Sequence, residues 1–95
     1  MTDDESLARR RKKAYFVSWH RGTREMDLLV GGFADAYLAR LTPAQLDRYE
    51  ALLQCPDTDL YAWITGRATP PATLDTDILR LLCSFQIDPV RDTPA

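Results

Sequence analysis

Residues 24–45 read REMDLLVGGFADAYLARLTPAQ, and the fold follows from how that stretch is parsed. Met26, Leu29, Val30, Phe33, Tyr37 and Leu41 stand at i, i+3, i+4, i+7, i+11 and i+15, a single apolar stripe at helical period. Thr23, just ahead, is placed to cap, and Glu25 and Asp27 complement the positive end of the helix dipole. Thr42-Pro43-Ala44-Gln45 then opens a second helix. Thr42 is its N-cap, Pro43 suits the first helical position, and Gln45 completes a capping box. Leu41 and Leu46 flank the box as a hydrophobic staple. Two helices meet here at a tight turn, the first reaching Leu41 and the second stopping near Gln54, before Pro56.

The same punctuation extends to both sides. A first helix is expected from about Ser6 to Trp19, with Leu7, Ala8, Tyr15 and Trp19 on one side and a basic run opposite. The helix after Thr42 turns Leu46, Tyr49, Leu52 and Leu53 inward. Asp57 or Thr58 caps a short fourth helix presenting Leu60, Trp63 and Ile64, closed by Gly66. Beyond Pro70-Pro71, Leu74, Ile78, Leu81, Leu82 and Phe85 mark a fifth helix ended by Asp88-Pro89. No stretch alternates with period two, β-branched clusters are absent, and no repeat appears. The expectation is an all-α, single-domain bundle of five short helices over residues 1–95, with an ordered core of about 6–88.

The chain has 95 residues, room for one domain, and its 45% hydrophobic and 27% charged composition is that of a globular protein. So small a scaffold favours a binding or accessory module over an enzyme with a deep, multi-loop site. The net charge of −2 hides a segregation: residues 9–24 carry seven bases and no acid, whereas residues 25–95 carry five bases against eleven acids. Such polarity invites a partner with the reverse pattern. The acidic start and the lack of a following apolar run give no expectation of a signal peptide or membrane insertion. With no sustained heptad, a monomer is expected. Cys55 and Cys83 lack metal spacing and read as small buried hydrophobes in a reducing compartment.

Catalytic sets fail. His20 is the lone histidine, and no nucleophile has an evident partner, so no catalytic residue and no metal site are expected. The acid pairs Asp57/Asp59 and Asp75/Asp77 sit at helix starts, where capping accounts for them. Val30-Gly31-Gly32-Phe33 is not a dinucleotide fingerprint. Its glycines serve either close helix packing or the approach of a partner. Arg9-Arg10-Arg11-Lys12-Lys13, followed by Tyr15, Phe16 and Trp19, admits two readings: a solvated basic face, or a small nucleic-acid-binding protein whose bases meet phosphates. The acidic remainder of the chain disfavours the second.

The last cluster is Arg21-Gly22-Thr23-Arg24-Glu25-Met26-Asp27, a glycine turn presenting charges at a helix start. Arg21-Gly22-Thr23-Arg24-Glu25 resembles the R-G-x-x-E signature of the small succinate dehydrogenase assembly factors that promote covalent flavin attachment. Residues 52–63, LLQCPDTDLYAW, resemble the same family's L-L-x-C-x-D-x-D-L-x-x-W segment. The likeness covers roughly residues 7–85; His20 stands where many members carry another arginine.

The resemblance implies a chaperone-like protein, not an enzyme, that binds the flavoprotein subunit of succinate dehydrogenase, and in bacteria sometimes that of fumarate reductase. It implies help in forming the bond between a histidine of that subunit and FAD. Arg21, Gly22, Arg24, Glu25 and Asp27 would then face the partner. FAD would belong to the partner, and without a phosphate-cradling loop this chain is expected to bind no cofactor of its own. The implied compartment is the bacterial cytoplasm, or the mitochondrial matrix for a processed eukaryotic protein.

Overall fold

Five helices form where the sequence patterns place them. The computed structural model describes residues 3–87, with side chains described for 5–85. In chain order the elements are α1 (Asp3–Ser18), α2 (Arg24–Tyr37), a single 3-10 turn (Leu38–Arg40), α3 (Pro43–Leu53), α4 (Asp57–Ile64) and α5 (Asp77–Ile87). No strand occurs among the described residues, and the architecture is all-α. The Asp88-Pro89 terminator lies outside the described residues, as does the end of the expected ordered core.

The Thr42 box forms as the spacing dictates. Thr42 Oγ1 accepts from Gln45 N at 3.2 Å, and Gln45 Oε1 accepts from Thr42 N at 3.0 Å. Leu41 and Leu46 on either side are both buried. Thr23 caps α2, accepting from Met26 N. α4 ends in a Schellman motif: Arg67 N donates to Ala62 O, Gly66 N donates to Trp63 O, and Gly66 takes φ 78°.

Four expectations are corrected. The stripe through Leu41 does not stay α-helical, because the chain tightens to a 3-10 turn at Leu38 before Thr42 extends ahead of Pro43. Neither Asp57 nor Thr58 caps α4. Pro56 holds that position without a side-chain bond, and the Asp57 carboxylate is taken by Arg21. Leu74 lies in a turn before α5, which starts at Asp77 after Thr76 has accepted from Leu79 N.

The fourth correction is the buried face of α1, which centres on Ala14 and Ser18 instead of Tyr15. Small residues let α1 approach its neighbours closely, a form of burial that hydrophobic periodicity does not register. Ser18 donates to Ala14 O at 2.7 Å, and its Oγ lies 2.5 Å from the hydroxyl of fully buried Tyr49.

The core joins Val30, Phe33 and Ala34 of α2, Leu46, Tyr49 and Leu52 of α3, Leu60 and Ile64 of α4, and Ile78, Leu79 and Leu82 of α5. Phe33 is its hub, packed against Tyr37, Tyr49 and Phe85. The segregated charges meet on the surface: Arg10 pairs with Asp47 and Glu50 of α3, and Arg11 donates to Leu41 O at 2.5 Å. Part of the basic run is therefore spent on holding α1 to the rest of the bundle; Arg9, Lys12 and Lys13 remain exposed. No described helix is long and apolar enough to cross a membrane.

Candidate functional site

The α1–α2 junction is built by three anchors. The first is Thr23, capping α2 as above. The second is Asp27, half-buried in the first turn of α2, whose Oδ1 accepts the backbone N–H of Arg21 at 2.5 Å. The third is the Arg21 side chain, only 6% exposed. Its Nε donates to Asp57 Oδ1 at 2.8 Å, Nη1 to Leu53 O at 2.7 Å and Nη2 to Cys55 O at 2.6 Å.

The electrostatic logic is plain. α3 carries no basic residue in its last turn, so its negative end would otherwise lack a cation. The Arg21 guanidinium supplies one from elsewhere in the chain and satisfies Leu53 O, a carbonyl with no intrahelical partner. The planar fork reaches acceptors on α3, on α4 and on the link between them at once, which a lysine ammonium could not do with the same geometry. Between these anchors Gly22 takes φ 120°, and a β-carbon there would lie 3.6 Å from Asp57 Oδ2. The loop thus runs directly against the start of α4.

The outer side of the junction is solvent-facing. Gly22, Arg24 and Glu25 are exposed. Leu28, one turn past Arg24, is 53% exposed, and Phe16 at the end of α1 is 61% exposed. Phe16 stacks on His20 with ring centroids 4.0 Å apart, and His20 Nδ1 donates to Phe16 O at 2.7 Å. Close by, Trp19 Nε1 donates to Asp35 at 3.4 Å, and a hydrogen bond to Asp35 raises the Tyr15 phenol above its ordinary range.

The five residues singled out from the sequence accordingly fall into two groups. Gly22, Arg24 and Glu25 lie on the surface, whereas Arg21 and Asp27 are engaged inside the chain. Asp57 was not among the five. The signal that could have found it is the second sequence block, LLQCPD, whose Leu53, Cys55 and Asp57 are the three acceptors of Arg21. Of the two glycines in α2, Gly31 serves packing: a β-carbon there would fall 2.3 Å from Trp19 Cδ2. Cys55 and Cys83 are half-buried free thiols, both raised above the usual thiol range, chiefly by burial. Among the described residues no group of three or more His, Cys, Asp or Glu side chains could hold a metal ion.

Comparison with known proteins bears on this arrangement. A family model described as flavinator of succinate dehydrogenase matches residues 12–86. The chain is 43% identical over 72 residues to the mitochondrial succinate dehydrogenase assembly factor 2 of Dictyostelium discoideum, covering 76% of this chain and 51% of that protein. It is 39% identical over 77 residues to the FAD assembly factor SdhE of Acetobacter pasteurianus, covering 81% of this chain and 71% of that one. The mitochondrial succinate dehydrogenase assembly factor 2 of Meyerozyma guilliermondii is 41% identical over 80 residues, covering 78% of this chain and 59% of that protein. The chain spans about half the length of the mitochondrial relatives it matches. These matches lend no support to a nucleic-acid role for Arg9–Lys13.

Proposed function

This chain belongs to the family of succinate dehydrogenase flavinators, and we propose that it binds the flavoprotein subunit of that enzyme and promotes covalent attachment of FAD to its histidine. The observation that carries the reading is the exposure of Gly22 in the turn and of Arg24 and Glu25 at the start of α2, with anchored residues on both sides. A surface fixed before binding loses less conformational entropy on association.

Joining a histidine to a flavin is chiefly an orientation problem. Nucleophile and ring must be held in register in a site from which water is excluded. A rigid five-helix wedge can hold such a geometry in its partner without donating a reacting group. We assign this chain that role: an assembly factor and not an enzyme, with FAD belonging to the partner. Glu25 would pair with a cation or histidine of the flavoprotein, and exposed Phe16 and Leu28 would cover apolar surface beside it. The free chain would be a monomer forming a 1:1 complex. It would act in the bacterial cytoplasm or the mitochondrial matrix, and in bacteria could also serve fumarate reductase.

The test is co-purification together with flavin fluorescence of the denatured flavoprotein subunit from cells lacking this protein. Capture of the subunit and loss of the covalent flavin signal are expected. Full fluorescence in the deletion strain would overturn the reading.

A further inference from the structure

The R-G-T-R-E segment, a turn leading into the first residues of α2, and the LLQCPD segment are one structural unit. Three donors of the Arg21 guanidinium end on Leu53 O, Cys55 O and Asp57 Oδ1, leaving a side chain that is 6% exposed. Little of it remains for a partner to touch. Gly22 lies against Asp57, and on either side of Asp57 the chain exposes Pro56, Thr58 and Asp59. The exposed edge of the loop and the exposed start of α4 therefore form neighbouring parts of one surface, and the buried fork is what keeps them together.

We propose that Arg21 and Asp57 are positioning residues: they fix Gly22, Arg24 and Glu25 against the α3–α4 junction, so that the flavoprotein is met by a composite surface of the loop plus Pro56, Thr58 and Asp59. The inference rests on the flavoprotein-binding reading above and makes it sharper. The arginine of the signature acts through the residues that follow it, and the second sequence block belongs to the binding surface because it holds the first in place.

The experiment uses the full chain and the purified flavoprotein subunit. Arg21→Lys and Asp57→Asn are made singly, together, and each in a Glu25→Ala background. Amide hydrogen exchange at positions 21, 26 and 27, whose N–H groups donate to Asp27 Oδ1, Thr23 Oγ1 and Thr23 O in the free chain, is expected to quicken by about tenfold or more in either single variant, reporting an opening of the loop. Each should weaken binding by about tenfold, equivalent to about 1.4 kcal/mol. The double variant should bind no worse than the weaker single one, because both remove the same fork. In the Glu25→Ala background, Arg21→Lys should cost clearly less than it does alone, because the share of its effect that runs through Glu25 is already gone. A multiplicative loss in either pairing would mean that Arg21 touches the partner directly and would overturn the proposal. So would unchanged exchange at positions 21, 26 and 27.

Asp59→Arg, on the surface, should lower affinity while leaving the thermal midpoint in place; unchanged affinity would remove the α4 edge from the surface. Failure of the wild-type chain to bind the flavoprotein would instead count against the function itself, with the exchange result still deciding whether the fork orders the loop. Asp57→Asn keeps an oxygen acceptor for Arg21 Nε, so it provides a folded test should Arg21→Lys not fold.

Discussion

Trp19 lies over Gly31 so closely that a β-carbon at position 31 would come within 2.3 Å of Cδ2 and 2.5 Å of Cε2. The adjacent glycine is different, because a β-carbon at 32 would meet Phe85 at an ordinary 3.7 Å. One of the two glycines is there for the indole; the other is a helix interior position where a methyl group would make an ordinary contact.

Opposite effects are expected from the two alanine substitutions. Gly32→Ala should stabilise by roughly 0.5–1 kcal/mol through helix propensity. Gly31→Ala makes the same propensity gain but forces the indole outward, at an overpacking cost of about 1–3 kcal/mol, so a net loss is expected. Thermal midpoints and Trp19 emission in a Trp63→Phe background would check both. A red shift with Gly31→Ala alone is the expected signature.

Gly22 and Gly66 both have positive φ but differ in surroundings. Gly66 has nothing within 4 Å of a would-be β-carbon, whereas Gly22 at φ 120° adjoins Asp57. Gly22→Ala should cost about 1–3 kcal/mol in backbone strain and reduce flavoprotein affinity by displacing the loop. Gly66→Ala should cost about 1–2 kcal/mol and leave affinity alone. Side-by-side denaturation and binding curves separate the two.

Tyr49 gives the fold a pH dependence. Burial pushes its phenol from the ordinary 10.0 up to about 12, partly opposed by the Ser18 hydrogen bond and the nearby Arg21 charge. The folded state therefore holds this proton more tightly than the unfolded chain does. The resulting stability is complete below the unfolded value of 10.0 and is lost as pH rises through about 12. Denaturant midpoints of wild type and Tyr49→Phe should converge across that window. Parallel curves would show that Tyr49 ionises without resistance.

Much of the fold was legible because its signals are local. The Thr42 box, the stripe from Met26 to Phe33 and the Gly66 terminator each need only a few consecutive residues, and each appears in the structure. The α1 face is not legible in this way, because Ala14 and Ser18 pack through smallness, which carries no hydrophobic period. The division of the site was beyond local reading for a similar reason. Arg21 and Asp57 are separated by 36 positions, and no spacing rule relates them. Exposed and buried arginines look alike in sequence, so Arg21 and Arg24 could be told apart only once their partners were in place.

Glu25→Ala tests the central claim most directly, because Glu25 is exposed and sits at the start of α2. Stability should fall by only about 0.3–1 kcal/mol, the value of an acid at a helix N-terminus. Affinity for the flavoprotein subunit should fall by about 2–5 kcal/mol if the carboxylate meets a buried cation there. The decisive measurement is the affinity of wild type and Glu25→Ala for the purified flavoprotein, with thermal midpoints alongside. A large loss of affinity at a nearly constant midpoint is the predicted result; wild-type affinity in the variant, or an unfolded variant, would contradict the contact surface.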